Sequence, residues 1–186
     1  MSTMMTDEAL AAAVLGAREA QGLSTSALAE RSGVSRAMIA KIERAEAQPT
    51  AALLGRLSGA LGLTLSELIA RAEHADRRVA RLADQPVWTD PESGYTRRAV
   101  SPASGGPLEL VEVVLPARAS VAYPADTYAF IHQQLWVLDG VLHFREGDVE
   151  HELRAGDCLT VGPPVDCVFS NPQELPCRYL VALSRR

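Results

Sequence analysis

The chain has 186 residues, of which 47% are hydrophobic and 22% are charged. This composition is close to that of folded globular domains, which excludes a disordered, collagen-like or coiled-coil chain. The sequence contains no uninterrupted run of the roughly 18 apolar residues that a membrane-spanning helix needs. We therefore expect a cytoplasmic protein with no membrane partner, and the length favours two small domains.

The net charge of −5 is unevenly distributed along the chain. Residues 1–72 carry seven basic and seven acidic side chains, whereas residues 86–186 carry eight basic and thirteen acidic side chains. The sole lysine, Lys41, lies close in sequence to Arg36 and Arg44. The first part of the chain therefore holds a local basic cluster, which is a feature of nucleic-acid-binding surfaces.

The pattern of apolar residues divides the chain into two parts. Residues 1–71 place apolar side chains at spacings of three and four, which predicts amphipathic helices. Residues 86–186 alternate prolines and glycines with short apolar runs, which predicts strands and turns. The intervening residues 72–85 are rich in charge and compatible with a helix, so we interpret them as a linker helix. The predicted fold class is α + β, an all-α domain followed by an all-β barrel.

Residues 24–44 meet the requirements of two helices joined by a tight turn. Ser24 or Thr25 can cap the first helix, and Gly33 supplies the positive φ that a helix C-terminus commonly requires. Ser35 then caps the second helix. The segment therefore predicts a helical pair with a sharp connection.

The second helix of this pair has two distinct faces. Ile39 and Ile42, three residues apart, bury its inner face. The outer face is left to small and basic side chains, namely Arg36, Ala37, Ala40, Lys41 and Arg44. Such a face can enter the major groove of DNA. The alternative is an ordinary helical hairpin whose arginines are only solvated.

This pattern resembles the helix-turn-helix of the XRE, or lambda repressor-like, family, and the resemblance extends over residues 9–71. It implies a five-helix DNA-binding domain at residues 1–71, with double-stranded DNA as the partner. The DNA-binding residues that it implies are Thr25, Ser35, Arg36, Ala37, Lys41 and Arg44. Among these, the positions of Arg36, Ala37 and Lys41 read base edges in the family, whereas those of Thr25 and Arg44 touch phosphates.

Two consequences for DNA recognition follow. Arg36 is the leading specificity residue, because arginine bound to guanine through two hydrogen bonds is the commonest specific contact. The family commonly has glutamine where this chain has Thr25, so a contact at two points is replaced by a single hydroxyl. One such domain offers few phosphate contacts, and we therefore expect a homodimer on a near-palindromic operator.

Residues 133–160 predict successive antiparallel strands joined by turns that contain glycine, as in a small barrel. Residues 86–184 resemble the cupin fold. Gly140 fits the end of the first cupin motif, and Gly156 begins a second motif that ends at Asn171. The resemblance implies a double-stranded β-helix barrel that serves as an effector and dimerisation domain.

The metal-binding positions of the cupin motifs hold other residues in this chain. Gln133 stands at the glutamate position, and Cys167 stands at the last histidine position. The other two histidine positions fall on Asp126 and Tyr128, or on the residues that follow them. Cupin enzymes rely on three imidazoles and a carboxylate, so the comparison implies no metal, no cofactor and no catalytic residue here. A zinc site built on Asp126 and Cys167 is the alternative, because carboxylate and thiolate both bind zinc.

Without a metal, the barrel still predicts an apolar cavity with a few polar groups, which is the usual composition of a small-molecule site. The predicted ligand-pocket residues are Asp126, Tyr128, Gln133 and Cys167. The alternative is a filled barrel that serves only dimerisation, since small barrels are often packed by their own side chains. In that case Cys167 is a small buried hydrophobe.

Helix-turn-helix and cupin domains in one chain resemble a family of bacterial one-component transcription regulators. Within it, the segments GYTRR, LVEVVL and IHQQLWVLDG resemble the branch that includes a sulfur-utilisation regulator. The resemblance implies a non-enzymatic regulator whose barrel binds a small-molecule effector, with the helix at 72–84 as the lever between effector and DNA. The alternatives are a metal-dependent cupin enzyme with a tethered DNA-binding head, and an adaptor that binds proteins through its barrel.

Overall fold

The computed structural model describes residues 6–70, 78–102 and 108–185, apart from the side chains of Ser66, Ile69, Ala70, Tyr128 and Arg185. Along the chain its α-helices precede its strands, so the predicted order of a helical part and a β-rich part is confirmed. None of the helices in these ranges combines the length and the apolar character needed to span a membrane.

The N-terminal half contains four helices of eight residues or more, namely α1 (Asp7–Ala20), α2 (Thr25–Ser32), α3 (Arg36–Glu43) and α4 (Ala51–Ala60). Within the described residues, the fifth predicted helix comprises the six-residue segment α5 (Leu65–Ala70). Each helix begins at a hydroxyl side chain that accepts a hydrogen bond from a backbone N–H of the first turn, at Thr6, Ser24, Ser35, Thr50 and Thr64. These caps satisfy donors that a helix N-terminus otherwise leaves unpaired.

One apolar core holds the helices together. Leu28, Val34, Ile39 and Ile42, which the sequence predicts to face inward, are each at most 3% exposed. They pack with residues of α1 and α4 such as Leu54. Because a fully buried leucine or isoleucine contributes about 1.5 to 3 kcal/mol, this cluster fixes α2 and α3 against their neighbours.

Among the described residues of the C-terminal half, ten strands are formed. They are β1 (Val87–Thr89), β2 (Thr96–Ala99), β3 (Leu108–Leu115), β4 (Ser120–Tyr123), β5 (Ile131–Asp139), β6 (Val141–Glu146), β7 (Val149–Arg154), β8 (Cys158–Thr160), β9 (Cys167–Ser170) and β10 (Cys177–Arg185). All of their pairings are antiparallel.

The strands form two sheets in the order β1-β2-β3-β10-β5-β8 and β4-β9-β6-β7. The inner faces of the sheets meet, since the rings of Phe169 on β9 and Tyr179 on β10 stack with centroids 6.0 Å apart. From β3 to β10, these are eight antiparallel strands divided between two sheets, which is the jelly-roll arrangement of cupins. The first sheet is extended by β1 and β2.

Side chains alternate along β5 between the interior and solvent, as expected for a strand. Gln133 is buried, whereas its neighbour His132 is exposed. At the end of β5, Gly140 has a φ of +82° and a Cβ there would lie 3.0 Å from the carbonyl oxygen of Pro176. The β5–β6 turn therefore requires glycine.

The described part of the predicted linker helix is not an α-helix. Residues 71–77 lie outside the described residues, and residues 78–85 contain only a 3₁₀ turn at Leu82–Asp84, preceded by Arg81 in an extended conformation. None of the residues of this turn is buried. Short helices depend on packing of an apolar face for stability. A helix-compatible composition is therefore insufficient to form an α-helix at residues 78–85.

Helix α4 lies directly against the barrel. A Cβ at Gly55 would come within 2.9 Å of Cδ1 of Tyr123, and one at Gly59 within 3.1 Å of the carbonyl oxygen of Asp126. Tyr123 ends β4, and Asp126 lies in the 3₁₀ turn Ala125–Tyr128. The two glycines therefore permit a close approach of helix to barrel.

Two hydrogen bonds also join the halves. Oδ1 of Asp90 accepts from the backbone N–H of Ala51 at 2.8 Å, which places a carboxylate at the N-terminus of α4, where the helix dipole favours it. The hydroxyl of Thr64, which caps α5, donates to Oε2 of Glu109 on β3 at 2.8 Å. The N-termini of α4 and α5 are therefore attached to the barrel.

Candidate functional site

The turn between α2 and α3 is fixed by local hydrogen bonds. Gly33 adopts a φ of +65°, and its N–H donates to the carbonyl oxygen of Ala29 at 3.0 Å. The hydroxyl of Ser35 accepts from a backbone N–H in the first turn of α3 at 3.2 Å. The predicted roles of Gly33 and Ser35 in the turn are confirmed, and Ser24 rather than Thr25 caps α2.

The outer side of α3 carries most of the residues predicted to contact DNA. Four of them are exposed there and at the end of the helix, namely Arg36, Ala37, Lys41 and Arg44. Thr25 is half-buried at the first position of α2, and Ser35 is exposed as the N-cap of α3. Within the described ranges, Arg36 and Lys41 form no ion pair. Their charges are therefore available to an external partner.

Arg44 differs from these two residues because a carboxylate compensates its charge. Its Nε and Nη2 each donate to a carboxylate oxygen of Glu46 at 2.7 Å. The hydrogen bond from Arg44 holds the pKa of the Glu46 carboxyl below its usual value, and the charge of Lys41 lowers it further. The charge of Arg44 is therefore less available to an external partner than the charges of Arg36 and Lys41.

A shielded ion pair sets the position of α3 relative to α1. Nε of Arg18 lies 2.6 Å from Oε1 of Glu43, and the two side chains are only 12% and 9% exposed. A second nitrogen, Nη1, donates to the carbonyl oxygen of Leu23 at 2.8 Å. The hydrogen bond to Glu43 raises the pKa of the Arg18 guanidinium. Sequence analysis did not identify this pair, because its members are 25 residues apart and Arg18 lies outside the segment 24–44.

A cavity opens in the barrel next to α5. Its volume is about 40 Å³, and it is partly open to solvent. Its polar lining from the barrel consists of Tyr95, Arg97, Tyr123, Thr127, Gln133 and Tyr179. Thr64 and Leu65 of the helical half also line it. Both halves of the molecule therefore contribute to one cavity.

Arg97 is the one charged side chain among the described residues of this lining. It shares a hydrogen bond with Tyr95, whose hydroxyl lies 2.5 Å from that of Tyr123. Burial lowers the pKa of the Arg97 guanidinium, but the neighbouring tyrosines raise it, and the pKa lies above its usual value. Burial raises the pKa of Tyr95 and of Tyr179. At neutral pH the cavity therefore contains a cation beside neutral hydroxyls.

The predicted pocket residues are only partly brought together. Gln133 lines the cavity, whereas Asp126 and Cys167 are not among its lining. The side chain of Asp126 is exposed in the turn beside α4, and Cys167 is buried with its thiol 3.3 Å from the carbonyl oxygen of Val165. The side chain of Tyr128 lies outside the described residues. Of the predicted pocket residues whose side chains are described, Gln133 on β5 is the one that lies at this cavity.

The side chains at the cupin metal positions do not fit a metal centre. Gln133 supplies a neutral amide, and Asp126 and Cys167 do not share the cavity. Burial, followed by the charges of Glu146 and Asp166, raises the pKa of the Cys167 thiol to about 11, which disfavours the thiolate that zinc binds. Across the ranges described above, no three His, Cys, Asp or Glu side chains are grouped as metal ligands.

Comparison with known proteins begins with the helical half. Residues 16–68 match the Helix-turn-helix family HTH_3. Over 94 residues the chain is 33% identical to the HTH-type transcriptional regulator SutR of Escherichia coli (strain K12), a match that covers 47% of this chain and 53% of that protein. The chain thus spans about half the length of the curated relative it matches.

Solved structures extend the likeness to the whole chain. An HTH_3 family transcriptional regulator from Vibrio cholerae superposes with a TM-score of 0.78 at 21% identity, covering 96% of each chain. Hydroxypropylphosphonic acid epoxidase from S. wedmorenis gives a TM-score of 0.48 at 19% identity, covering 98% of this chain and 100% of that one. At 21% identity, the likeness to the Vibrio cholerae protein describes the fold, and one fold hosts several functions.

Proposed function

We propose that this chain, which joins a helix-turn-helix domain of the HTH_3 family to a cupin barrel, is a sequence-specific DNA-binding transcription regulator whose barrel senses a small metabolite without a metal. The observation that carries the proposal is the exposed face of α3, where Arg36, Ala37 and Lys41 are presented on a helix whose other face is buried. The match to the transcriptional regulator SutR over 47% of this chain supports it.

On DNA, α3 lies in the major groove with its N-terminal residues against the base edges. The Arg36 guanidinium can bind a guanine through two hydrogen bonds, and the methyl group of Ala37 can contact that of thymine. Lys41 adds a third contact one turn along the helix. Thr25 and Arg44 flank this face and contact phosphates, which position the protein without reading sequence.

The DNA-bound form is a homodimer. One helical domain presents three basic side chains on this face, at Arg36, Lys41 and Arg44, and the last is compensated by Glu46. Because affinity for DNA grows with the number of phosphates neutralised, two copies are needed on one duplex. Two-fold symmetry then places the recognition helices about 34 to 36 Å apart on a near-palindromic operator.

The barrel cavity is the site of the metabolite, and α4 and α5 carry its effect to DNA. Thr64 and Leu65 line the cavity from the helical half, and Tyr123, another lining residue, lies against Gly55 of α4. A ligand can change DNA affinity only if it binds the DNA-competent arrangement more or less tightly than the incompetent one. A ligand that displaces these junction residues meets that condition.

Selection of genomic DNA fragments by the purified full chain tests the proposal. We expect enrichment of a near-palindromic sequence, and a mass of two chains per duplex by light scattering. Arg36→Ala should relax the base preference at one position of each half-site, whereas Arg44→Ala should weaken binding to all sequences and flatten its salt dependence. Arg154→Ala, an exposed change on the barrel, is the charge-matched control.

Two outcomes would contradict parts of the proposal. Binding that does not distinguish the enriched sequence from random duplex would remove the regulatory function. Stoichiometric zinc, iron or manganese in the purified protein would remove metal-free sensing and would favour a cupin enzyme instead.

A further inference from the structure

The outward side of the six-stranded sheet carries many apolar side chains. Leu135, Val181 and Val111 lie in register on β5, β10 and β3 and are each at most 4% exposed, so they face the interior of the barrel. Because side chains alternate along a strand, their neighbours face outward. The apolar residues among these neighbours are Leu108, Leu110, Val114, Trp136, Leu180 and Ala182. We call these six residues the outer apolar face.

The other sheet shows a solvated face in the same molecule. On β6 and β7 the outward pairs are His143 with Glu152 and Arg145 with Glu150. Antiparallel sheets commonly place apolar side chains inside and polar ones outside, and β6 and β7 follow this rule. In β3 and β10, by contrast, the runs LVEVVL and YLVAL are apolar on both faces. Near-continuous apolar runs are typical of strands that are buried on both sides.

The part of the chain that the structure describes leaves the outer apolar face open. Trp136 is 47% exposed and Leu108 is 55% exposed, and the other four residues of the face are partly exposed. Helix α4 contacts β4, in the other sheet, and the turn Ala125–Tyr128, so it lies elsewhere on the barrel. A contiguous apolar patch on a folded domain marks an interaction site.

The extent of the sheet suits a stable protein interface. Six strands spaced about 4.8 Å apart, the longest with nine residues at about 3.4 Å per residue, give a face on the order of 700 Å². A standard interface buries about 800 Å² on each partner. The outer apolar face lies on β3, β10 and β5, and the edge strands β1 and β8 supply the solvent-accessible rim that such interfaces have.

The charges on the outward side of this sheet are balanced. Glu112 lies between Arg98 on β2 and Arg178 on β10, at N···O distances of 3.9 and 3.4 Å. Arg178 is paired in register with Asp139 on β5. Residues 86–186 as a whole carry eight basic and thirteen acidic side chains, so two barrels repel each other in most orientations. On the outward side of this sheet, two copies can approach without net repulsion.

We propose that the outward side of the six-stranded sheet is the surface through which two copies of this chain pair, with Trp136 as the main anchor. The proposal rests on the proposed function, which needs two copies on one duplex. A two-fold axis places the same surface of both chains face to face, so an apolar centre flanked by both signs of charge complements itself. Tryptophan is enriched among the residues that dominate the binding energy of interfaces.

Pairing through this surface keeps the DNA-binding half accessible. The contacts of α4 are to β4 and the turn that follows it, and β4 belongs to the other sheet. The attachment of α5 is through Glu109, which is paired with the buried Leu183 and therefore points away from the outer apolar face. A dimer of this kind therefore leaves both copies of α3 free to contact one duplex.

Light scattering and sedimentation equilibrium of the full chain test the proposal. The wild-type chain should have the mass of two chains without DNA. Trp136→Ala should raise the dissociation constant of the dimer about a thousandfold, because loss of one such anchor costs about thirtyfold and each dimer loses two. Leu180→Glu places a carboxylate in the interface of each copy and should leave only monomers. Val149→Glu, at a 56% exposed valine on β7 of the other sheet, is the matched control and should remain dimeric.

A second measurement needs no substitution, so it also applies if a variant does not fold. The chain has two tryptophans, and Trp88 is only 6% exposed, so quenching of fluorescence by iodide reports mainly on Trp136. We expect quenching to be weak where the dimer forms and to increase several-fold on dilution. Quenching that stays strong at every concentration would overturn the proposal, because no second copy would then cover Trp136, and would favour another protein as the occupant.

The failures of the two proposals are distinguishable. A folded Trp136→Ala or Leu180→Glu variant that dimerises like the wild type would overturn the assignment of this surface, whereas selective DNA binding by the wild type would still support the regulator. A dimer that depends on Trp136 but does not distinguish the operator from random duplex would support the surface and contradict the regulatory function. A monomeric Leu180→Glu variant that binds the operator more weakly with the wild-type base preference would support both.

Discussion

In the helical half the candidate functional side chains project into solvent from one short helix, whereas in the barrel half they converge on an interior cavity from several strands. Arg36 and Lys41 are five residues apart and share one face of α3. Arg97 and Gln133 lie on β2 and β5, which are separated in the sheet by β3 and β10. The arrangement of the solvent-facing side chains therefore depends on local helical spacing. The arrangement of the side chains around the cavity depends instead on the register of strands that are distant in sequence.

The contrast extends to electrostatics. In the helical half Arg36 and Lys41 are exposed and form no ion pair with the residues that the structure describes, whereas in the barrel Arg97 lies beside neutral tyrosines. The two regions meet where α4 and α5 pack on the barrel. A conformational change in one region therefore acts on residues that contact the other region. The five predictions below test this comparison, from the largest expected effect to the smallest.

The largest effect concerns the thiols of the barrel. The pKa of Cys167 is raised to about 11, so near pH 8 only about one thiol in a thousand is a thiolate. Iodoacetamide should therefore alkylate exposed Cys158 while sparing Cys167, and labelling of Cys167 should rise as pH approaches that pKa. Mass spectrometry of native protein measures this directly. Equal labelling of both thiols near pH 8 would show that Cys167 is accessible to the solvent or a metal after all.

The next effect concerns the pair that positions α3. Glu43→Ala leaves the Arg18 guanidinium shielded without its partner, and we expect a loss of about 3 kcal/mol in the free energy of unfolding by urea denaturation. Arg18→Met combined with Glu43→Leu should restore much of this loss, because an apolar pair removes both charges. Glu46→Ala, which removes an exposed carboxylate, is the control and should leave the midpoint unchanged. A Glu43→Ala variant of native stability would show that α3 is held by its apolar face alone.

A third effect concerns the junction. Leucine at Gly55 would overlap the ring of Tyr123, and overpacking of this kind costs about 2 kcal/mol. We expect Gly55→Leu to lower Tm and to reduce the influence of any cavity ligand on DNA binding. Gly16→Leu is the matched control, because no heavy atom lies within 4 Å of a Cβ there. Equal Tm values for the two variants would contradict close packing of α4 on the barrel.

A fourth effect concerns base recognition. Arg36→Ala should reduce the preference for the correct base at one position roughly tenfold, because a guanidinium bound to guanine contributes about 1 to 3 kcal/mol of discrimination. Competition of single-base operator variants in fluorescence anisotropy measures this preference. An undiminished preference at every position would exclude Arg36 as a reader of sequence.

The smallest effect concerns Glu46. Its carboxylate holds Arg44 through two hydrogen bonds and adds a negative charge near the DNA-facing side. Glu46→Gln should therefore strengthen binding several-fold and steepen its dependence on salt. Glu30→Gln, an exposed change on α2, controls for net charge. Weaker binding by Glu46→Gln would indicate that the carboxylate orients Arg44 productively.

The turn between α2 and α3 and the buried face of α3 were predictable because their determinants are local. Gly33, Ser35, Ile39 and Ile42 lie within ten residues of one another, and each has a direct signature in turn, cap or helical spacing. The hairpin at Gly140 was predictable for the same reason. Sequence analysis therefore located these elements and the direction of their side chains.

The cavity and the junction were not predictable in the same way. TRRA on β2 shows no apolar alternation, so only pairing with β3 decides that Arg97 points inward and Arg98 outward. The role of Gly55 and Gly59 is visible only in the structure, where both glycines allow α4 to approach Tyr123 and the 3₁₀ turn that follows it. The linker prediction went wrong at residues 78–85 because charge and helix propensity do not supply a packing partner.

Hydroxyl-radical footprinting of the selected operator tests the central claim most directly. The account predicts protection of two backbone segments about 34 to 36 Å apart on one side of the duplex, and loss of that pattern in the double variant Arg36→Ala and Lys41→Ala. Protection that persists unchanged in this folded double variant, or no protection at all, would contradict recognition of DNA by the outer face of α3.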